Sequence, residues 1–157
     1  MNSFFVNMPK KIHFNISLPT VCGEELAKYK NILLLLPLES MEDDFVINSV
    51  VRVLEENGSN IITKKIASEL DDKSLDVLFP DLSVTDADAV LAIGGGSVID
   101  AGKILSARYT NSGTISEILA GEVTFANKSL PLYVAPTTHS SAEANSIVSV
   151  CSEGRRT

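Results

Sequence analysis

Three short, mainly apolar runs, each closed by a residue that ends a strand, limit what this chain can fold into. They are Ile32 to Leu36 before Pro37, Asp88 to Ile93 before Gly94, and Leu130 to Ala135 before Pro136. A strand that is apolar on both sides must be covered on both faces, and a parallel sheet with crossover helices provides that cover. The segments between the runs fit this. Val46, Val50, Val53 and Leu54 recur at helical spacing after a capping-box-like start at Ser40 and Asp43, and Asn57-Gly58 supplies the stop. Asn60 to Ile66 reads as a strand, Asp71 to Phe79 as a helix closed by Pro80, and Thr114 to Ala120 as a short helical turn. Each parallel return needs a crossover, so the alternation predicts an α/β fold.

Three further elements complete the expectation. Ile12, Phe14, Ile16 and Leu18 alternate with polar residues, which predicts a half-buried strand from Lys11 to Leu18. A short helix is expected around Glu24 to Tyr29, and one more strand at Ile147 to Cys151. Together these elements predict a single domain with a Rossmann-like, largely parallel sheet and helices on both faces. The 157 residues suffice for such a core without disulfides or a structural metal.

Charge and composition remove several function classes. The net charge is −7 and no basic stripe occurs, which argues against nucleic acid as a partner. The longest apolar run, Ile32 to Leu38, has seven residues, against roughly 20 for a membrane span. The start, MNSFFVNMPKK, places its charges after a very short apolar stretch, the reverse of a secretory signal. Cys22 and Cys151 lie far apart, with neither metal-binding nor disulfide spacing. These features predict a cytoplasmic protein.

The chemistry concentrates where the strand ending at Ile93 meets Gly94-Gly95-Gly96-Ser97 and then a helix through Val98, Ile99, Ala101, Ile104 and Leu105. A turn without Cβ atoms lets a pyrophosphate approach the main chain and meet the first free N–H groups of the helix. Tight strand-to-helix turns also use glycine for structural reasons alone. The spacing is not G-x-G-x-x-G, because Ile99 stands where the last glycine would be. Ser97 to Asp100 has capping-box spacing, and Asp100 with Lys103 is expected to make an i, i+3 ion pair on the exposed side of the helix start.

Taken together, Ile93 to Lys103, the strand Leu130 to Ala135 and Pro136-Thr137-Thr138 resemble the iron-containing alcohol dehydrogenase family, whose pattern is G-G-G-S-x-x-D-x-x-K followed by a strand ending in P-T-T. The resemblance is clear from Asp86 to Thr138 and continues as layout over Lys11 to Asp81. It implies an N-terminal domain that binds NAD or NADP, and a mostly helical C-terminal domain whose aspartate and histidine ligands hold iron or zinc. Hydride transfer between alcohol or aldehyde and nicotinamide would run in the cleft between them. Carried over residue by residue, the resemblance implies that Gly95, Gly96 and Ser97, which follow Gly94 in the cradle read from the turn itself, match the family's pyrophosphate turn, that Asp100 is the cofactor-side aspartate, and that Thr137 and Thr138 lie beside the nucleotide. Lys103 falls on the family's lysine position in a supporting electrostatic role.

The chain departs from the family in three places. An acidic residue usually follows the first buried strand, where it accepts from the adenosine ribose; here Pro37 stands there, with Glu39 two residues on, and the choice between NAD and NADP stays open. The glycine-rich G-T-G-S-E after P-T-T is His139-Ser140-Ser141-Ala142-Glu143. The chain has only two histidines, His13 and His139, where a catalytic divalent metal needs about three clustered ligands. We therefore expect residues 1–157 to be the dinucleotide-binding domain, with the metal-binding helical domain absent. No residue is assigned as catalytic or as a metal ligand, and the chain alone is expected to be inactive. The expected partners are a dinucleotide and either a companion catalytic domain or a second copy paired through Lys11 to Leu18. The alternative is a stand-alone nucleotide-binding or interaction module without catalysis.

Overall fold

The computed structural model describes residues 9–40, 44–83, 86–152 and 155–156. In chain order the elements are α1 (Leu18–Leu26), β1 (Asn31–Pro37), α2 (Phe45–Glu56), β2 (Asn60–Ile66), α3 (Asp72–Ser83), β3 (Ala89–Gly94), α4 (Gly96–Arg108), α5 (Ile115–Leu119) and β4 (Leu132–Pro136). A 3-10 turn at Ala142–Ala144 and the short strands β5 (Cys151–Ser152) and β6 (Arg155–Arg156) follow. Strands β1 to β4 form one parallel sheet in the order β2-β1-β3-β4, as the apolar runs predict.

The central strands are covered on both faces. Ile32 to Leu36 of β1 and all six residues of β3 are buried. Leu33, Leu35, Val90 and Ala92 pack with Val98, Ala101, Ile104 and Leu105 of α4, Leu75 of α3 and Ile115 of α5. Ile32, Leu34, Leu91 and Ile93 point the other way, onto Cys22 and Leu26 of α1 and Val50 and Leu54 of α2. The chain steps from β1 outward to β2, and from β3 outward to β4 on the opposite side. Right-handed crossovers running in opposite directions must lie on opposite faces, which puts α2 on one side and α4 on the other. Helix α4 sits close to the sheet because Gly102 has no side chain: a Cβ there would lie 3.0 Å from Leu132 Cδ1 and 3.2 Å from Ala92 Cβ.

The structure corrects several boundaries. Residues 11–17 are not a strand. They pair with neither sheet edge, Asn15 takes a positive φ of 57°, and Ile12, Phe14 and Ile16 are 59%, 85% and 44% exposed. Side chains hold this segment instead of a ladder: Lys11 Nζ and His13 Nε2 both approach Glu25 Oε1 on α1. Pro19, at the first turn of α1, favours a helix there, so α1 begins at Leu18 rather than near Glu24. Helix α2 is capped by Asp44, whose carboxylate accepts from the amides of Val46 and Ile47, and not by Ser40; Asp43 lies outside the described residues. Helix α3 runs through Pro80 rather than stopping before it, at the cost of one backbone N–H donor. The last expected strand shrinks to Cys151–Ser152, since the Ser149 amide is bound to Asp100 Oδ2.

Burial pushes the Cys22 thiol up to about 11, and with 1% exposure it is a core residue. Among the described residues no helix is long and apolar enough to cross a membrane. Two substitutions separate the observed fold from one in which residues 11–18 form a buried strand. Leu34 is wholly buried, so Leu34→Ala should lower stability by about 3 kcal/mol in urea unfolding. Phe14→Ala should change it by no more than about 0.5 kcal/mol, because that ring is 85% exposed; a loss equal to that of Leu34→Ala would contradict this placement of the segment.

Candidate functional site

The register aligns the carboxyl ends of the four strands, with Pro37 opposite Ile66 and Gly94 opposite Pro136. Between β1 and β3 the chain leaves the sheet in opposite directions, and a crevice opens above such a switch point. The glycine turn lies at this crevice. Gly95 is the N-cap of α4, no side chain caps it, and the first helical bond runs from the Ile99 amide to the Gly95 carbonyl at 3.1 Å. The amides of the first turn are thus free of helical partners and carry the positive end of the helix dipole.

None of the three turn glycines adopts a positive φ; what they supply is room. A Cβ on Gly94 would lie 2.7 Å from Val98 Cγ2 and 3.2 Å from Pro37 Cγ. One on Gly95 would lie 2.9 Å from Thr138 Oγ1, and one on Gly96 3.2 Å from Ser140 Cβ. The Thr137 amide donates to the Gly94 carbonyl at 3.0 Å, so the loop after β4 is bonded to the turn as well as packed on it. Gly94 to Ser97, Thr137 and Thr138 therefore meet at one rim, with both threonines exposed.

Ser97 does not cap the helix. Its Oγ donates to the Ser68 carbonyl at 2.6 Å and so ties the turn to the loop after β2. Asp100 stands one turn deeper. Its Oδ1 lies 3.0 Å from Lys103 Nζ, and its Oδ2 accepts from the Ser149 amide at 3.0 Å. The expected ion pair is present but enclosed rather than exposed, because the segment after the 3-10 turn folds back over it, and Lys103 also donates to the Ile147 carbonyl. His139 is exposed on the loop. Ser68 and Ser140, which complete the packing of the turn, carry no local sequence signal, because they meet it only through the tertiary fold.

A groove of about 1600 Å³ runs from the rim down the α1 side of β3 and β4. Pro37, Glu39, Ile93, Ala135 and Thr137 line its upper part, and Tyr29 and Tyr133, with hydroxyl oxygens 3.1 Å apart, lie lower down. Burial and the hydrogen bond to Tyr133 push the Tyr29 hydroxyl up to about 12, so it stays protonated at neutral pH. The family-implied dinucleotide fits the rim, whose uncapped helix start leaves main-chain amides without helical partners. The metal does not fit: no group of three or more His, Cys, Asp or Glu side chains gathers among the described residues.

Fold and site together define a doubly wound α/β domain with a glycine turn at its switch point. The profile of the iron-containing alcohol dehydrogenases matches residues 9–157, and the chain belongs to that family. Among solved structures, NADH-dependent butanol dehydrogenase A from Thermotoga maritima is similar over 96% of this chain and 38% of its own, with a TM-score of 0.80 at 23% identity. An iron-containing alcohol dehydrogenase from the same organism has a TM-score of 0.80 at 16% identity, over 94% of this chain and 42% of its own. Alcohol dehydrogenase from Oenococcus oeni gives 0.75 at 18%, over 98% and 42%. The chain thus spans about two fifths of the length of these relatives. Comparison with curated proteins finds no match.

Two outcomes follow from the geometry. Asp100→Ala leaves Lys103 enclosed without its acid and releases the Ser149 amide, so stability should fall by roughly 3 kcal/mol, with faster hydrogen exchange at Ser149. Unchanged exchange there would mean that the carboxylate does not hold the segment. Ser141 occupies the left-handed region at φ 60°, in the stretch where the family is rich in glycine. Ser141→Gly should therefore raise stability by about 0.5–1 kcal/mol, read as a higher urea midpoint.

Proposed function

We propose that the chain binds a nicotinamide dinucleotide, NAD(H) or NADP(H), with the pyrophosphate on Gly94 to Ser97, as the cofactor-holding part of an oxidoreductase that interconverts alcohols and aldehydes. The observation that carries this reading is the convergence of the uncapped α4 start with Thr137 and Thr138 at the switch point. Amides at a helix start receive a doubly charged pyrophosphate without any net positive charge on the domain. The exposed threonine hydroxyls stand where they can donate to a phosphate oxygen or accept from a ribose hydroxyl.

Asp100 serves the same site as a positioning residue. By holding the Ser149 amide and Lys103 it fixes the chain after β4 against α4, and with it the loop that faces the turn. When bound, the nicotinamide supplies the hydride donor or acceptor. The chain's own part is to hold the dinucleotide, orient it along the groove and keep water from the groove floor with Leu91, Ile93 and Ala135. The metal ligands and the alcohol-binding surface belong, in this reading, to a companion half, and the assembled enzyme works in the cytosol. By itself the chain should neither retain a stoichiometric divalent ion after dialysis nor turn over short alcohols; one ion per chain with turnover lost on chelation would contradict this division of labour.

Calorimetry on the purified chain tests the binding step. NADH or NADPH should bind, and Gly95→Val should weaken binding by more than about tenfold, since a branched side chain must displace Thr138 and cover the amides. A melting curve confirms that the variant is folded. Equal affinity in a folded Gly95→Val, or no binding by the parent chain at millimolar ligand, would overturn the reading.

A further inference from the structure

We infer that the adenosine end of the cofactor lies over the carboxyl ends of β1 and β2, and that Lys65 there selects the 2′-phosphorylated dinucleotide, NADP(H). The inference rests on the nucleotide reading above and adds to it which cofactor is taken and which residue decides. The glycine turn touches both loops that this path needs. Ser97 Oγ is bonded to the Ser68 carbonyl beyond β2, and the Gly94 Cβ position is 3.2 Å from Pro37 at the end of β1. The end of β2 lies two strand spacings from the turn, about 10 Å, which one ribose and its base can span.

A hollow of about 310 Å³ opens there, between the end of β2 and α3. Leu38, Ile66, Leu70, Leu75 and Leu78 give it apolar walls suited to a flat base, and among the described residues that line it Lys65 is the one cation. Lys65 Nζ donates to the Ser40 carbonyl at 3.1 Å, which holds the ammonium beside the β1 loop and leaves two of its three protons for a ligand. An acid at the end of β1 would accept from a ribose 2′-hydroxyl and repel a 2′-phosphate; this chain has Pro37 at that place and a cation next to it. Glu39 and Glu69 flank the position, and Glu39 is the competing candidate for a ribose acceptor.

The test is a calorimetric titration of NADPH, NADH, adenosine 2′,5′-bisphosphate and AMP into the chain and its Lys65→Ala, Lys65→Arg and Glu39→Gln variants. NADPH should bind at least about tenfold tighter than NADH, with a similar margin between the two adenosine phosphates, as a charge-assisted bond to phosphate provides. Lys65→Ala should bring NADPH down to the NADH level while NADH stays within about twofold, and Lys65→Arg should keep the preference. NADH binding as tightly as NADPH, a preference that survives Lys65→Ala, or a loss of NADH alone in Glu39→Gln would each overturn the inference and leave nucleotide binding standing. If none of the four ligands binds, the nucleotide reading fails and this inference fails with it.

Discussion

The two-sided burial of β1 and β3 is the constraint on which the rest of the structure depends. Ten of the side chains involved, Ile32 to Leu36 and Ala89 to Ile93, are at most 5% exposed, and all but Ala89 belong to one of the two core clusters, which would open if they turned to solvent. Covering both faces requires helices from both directions. That requirement places α2 and α4 on opposite sides and splits the chain's path between β1 and β3. The crevice at their carboxyl ends is thus a by-product of core formation, and the glycine turn occupies a place that hydrophobic packing makes available.

Much of this was legible in the sequence because an unbroken apolar run carries its own meaning. Asn60 to Ile66 matches β2 end to end, and the runs at Ile32, Asp88 and Leu130 fall on β1, β3 and β4 to within two residues at either end. Where reading failed, a local pattern was answered by a non-local partner. The alternation from Lys11 to Leu18 describes two faces but cannot say whether a strand exists for them to pair with, and Glu25 on α1 takes Lys11 and His13 instead. Ser40 has the composition of a cap, yet its amide closes a turn on the Pro37 carbonyl, and Asp44 performs the capping four residues later. Pro80 is a helix breaker by propensity, and the contacts of α3 with the sheet override it.

The candidate site divides in the same way. The turn and the two threonines were readable because strand, glycines and helix are adjacent in sequence and the P-T-T ends a strand of its own. The Asp100–Lys103 pair followed from its spacing, but the distant partners of Ser97 and Asp100 did not: Ser68 is 29 residues away and Ser149 is 49. Capping-box spacing at Ser97 to Asp100 describes what these side chains would do on an isolated helix. In the folded chain each is claimed by a neighbouring loop, and α4 becomes the post to which the loops after β2 and β4 are both fastened.

The crowding around the glycines has a consequence for how this chain can change over time. Gly94, Gly95 and Gly96 are hemmed in by Val98, Pro37, Thr138 and Ser140, atoms of the protein itself. A lineage that gave up its cofactor would still be obliged to keep Gly94, because any side chain there would prise the turn from Val98 and Pro37 before it met a ligand, whereas Gly95 is held only for as long as Thr138 stands against it. The exposed positions Thr137 to His139 carry no such debt to the core. Drift after a loss of binding would register first in that loop and next at Gly95, while Gly94 persisted as a record of packing.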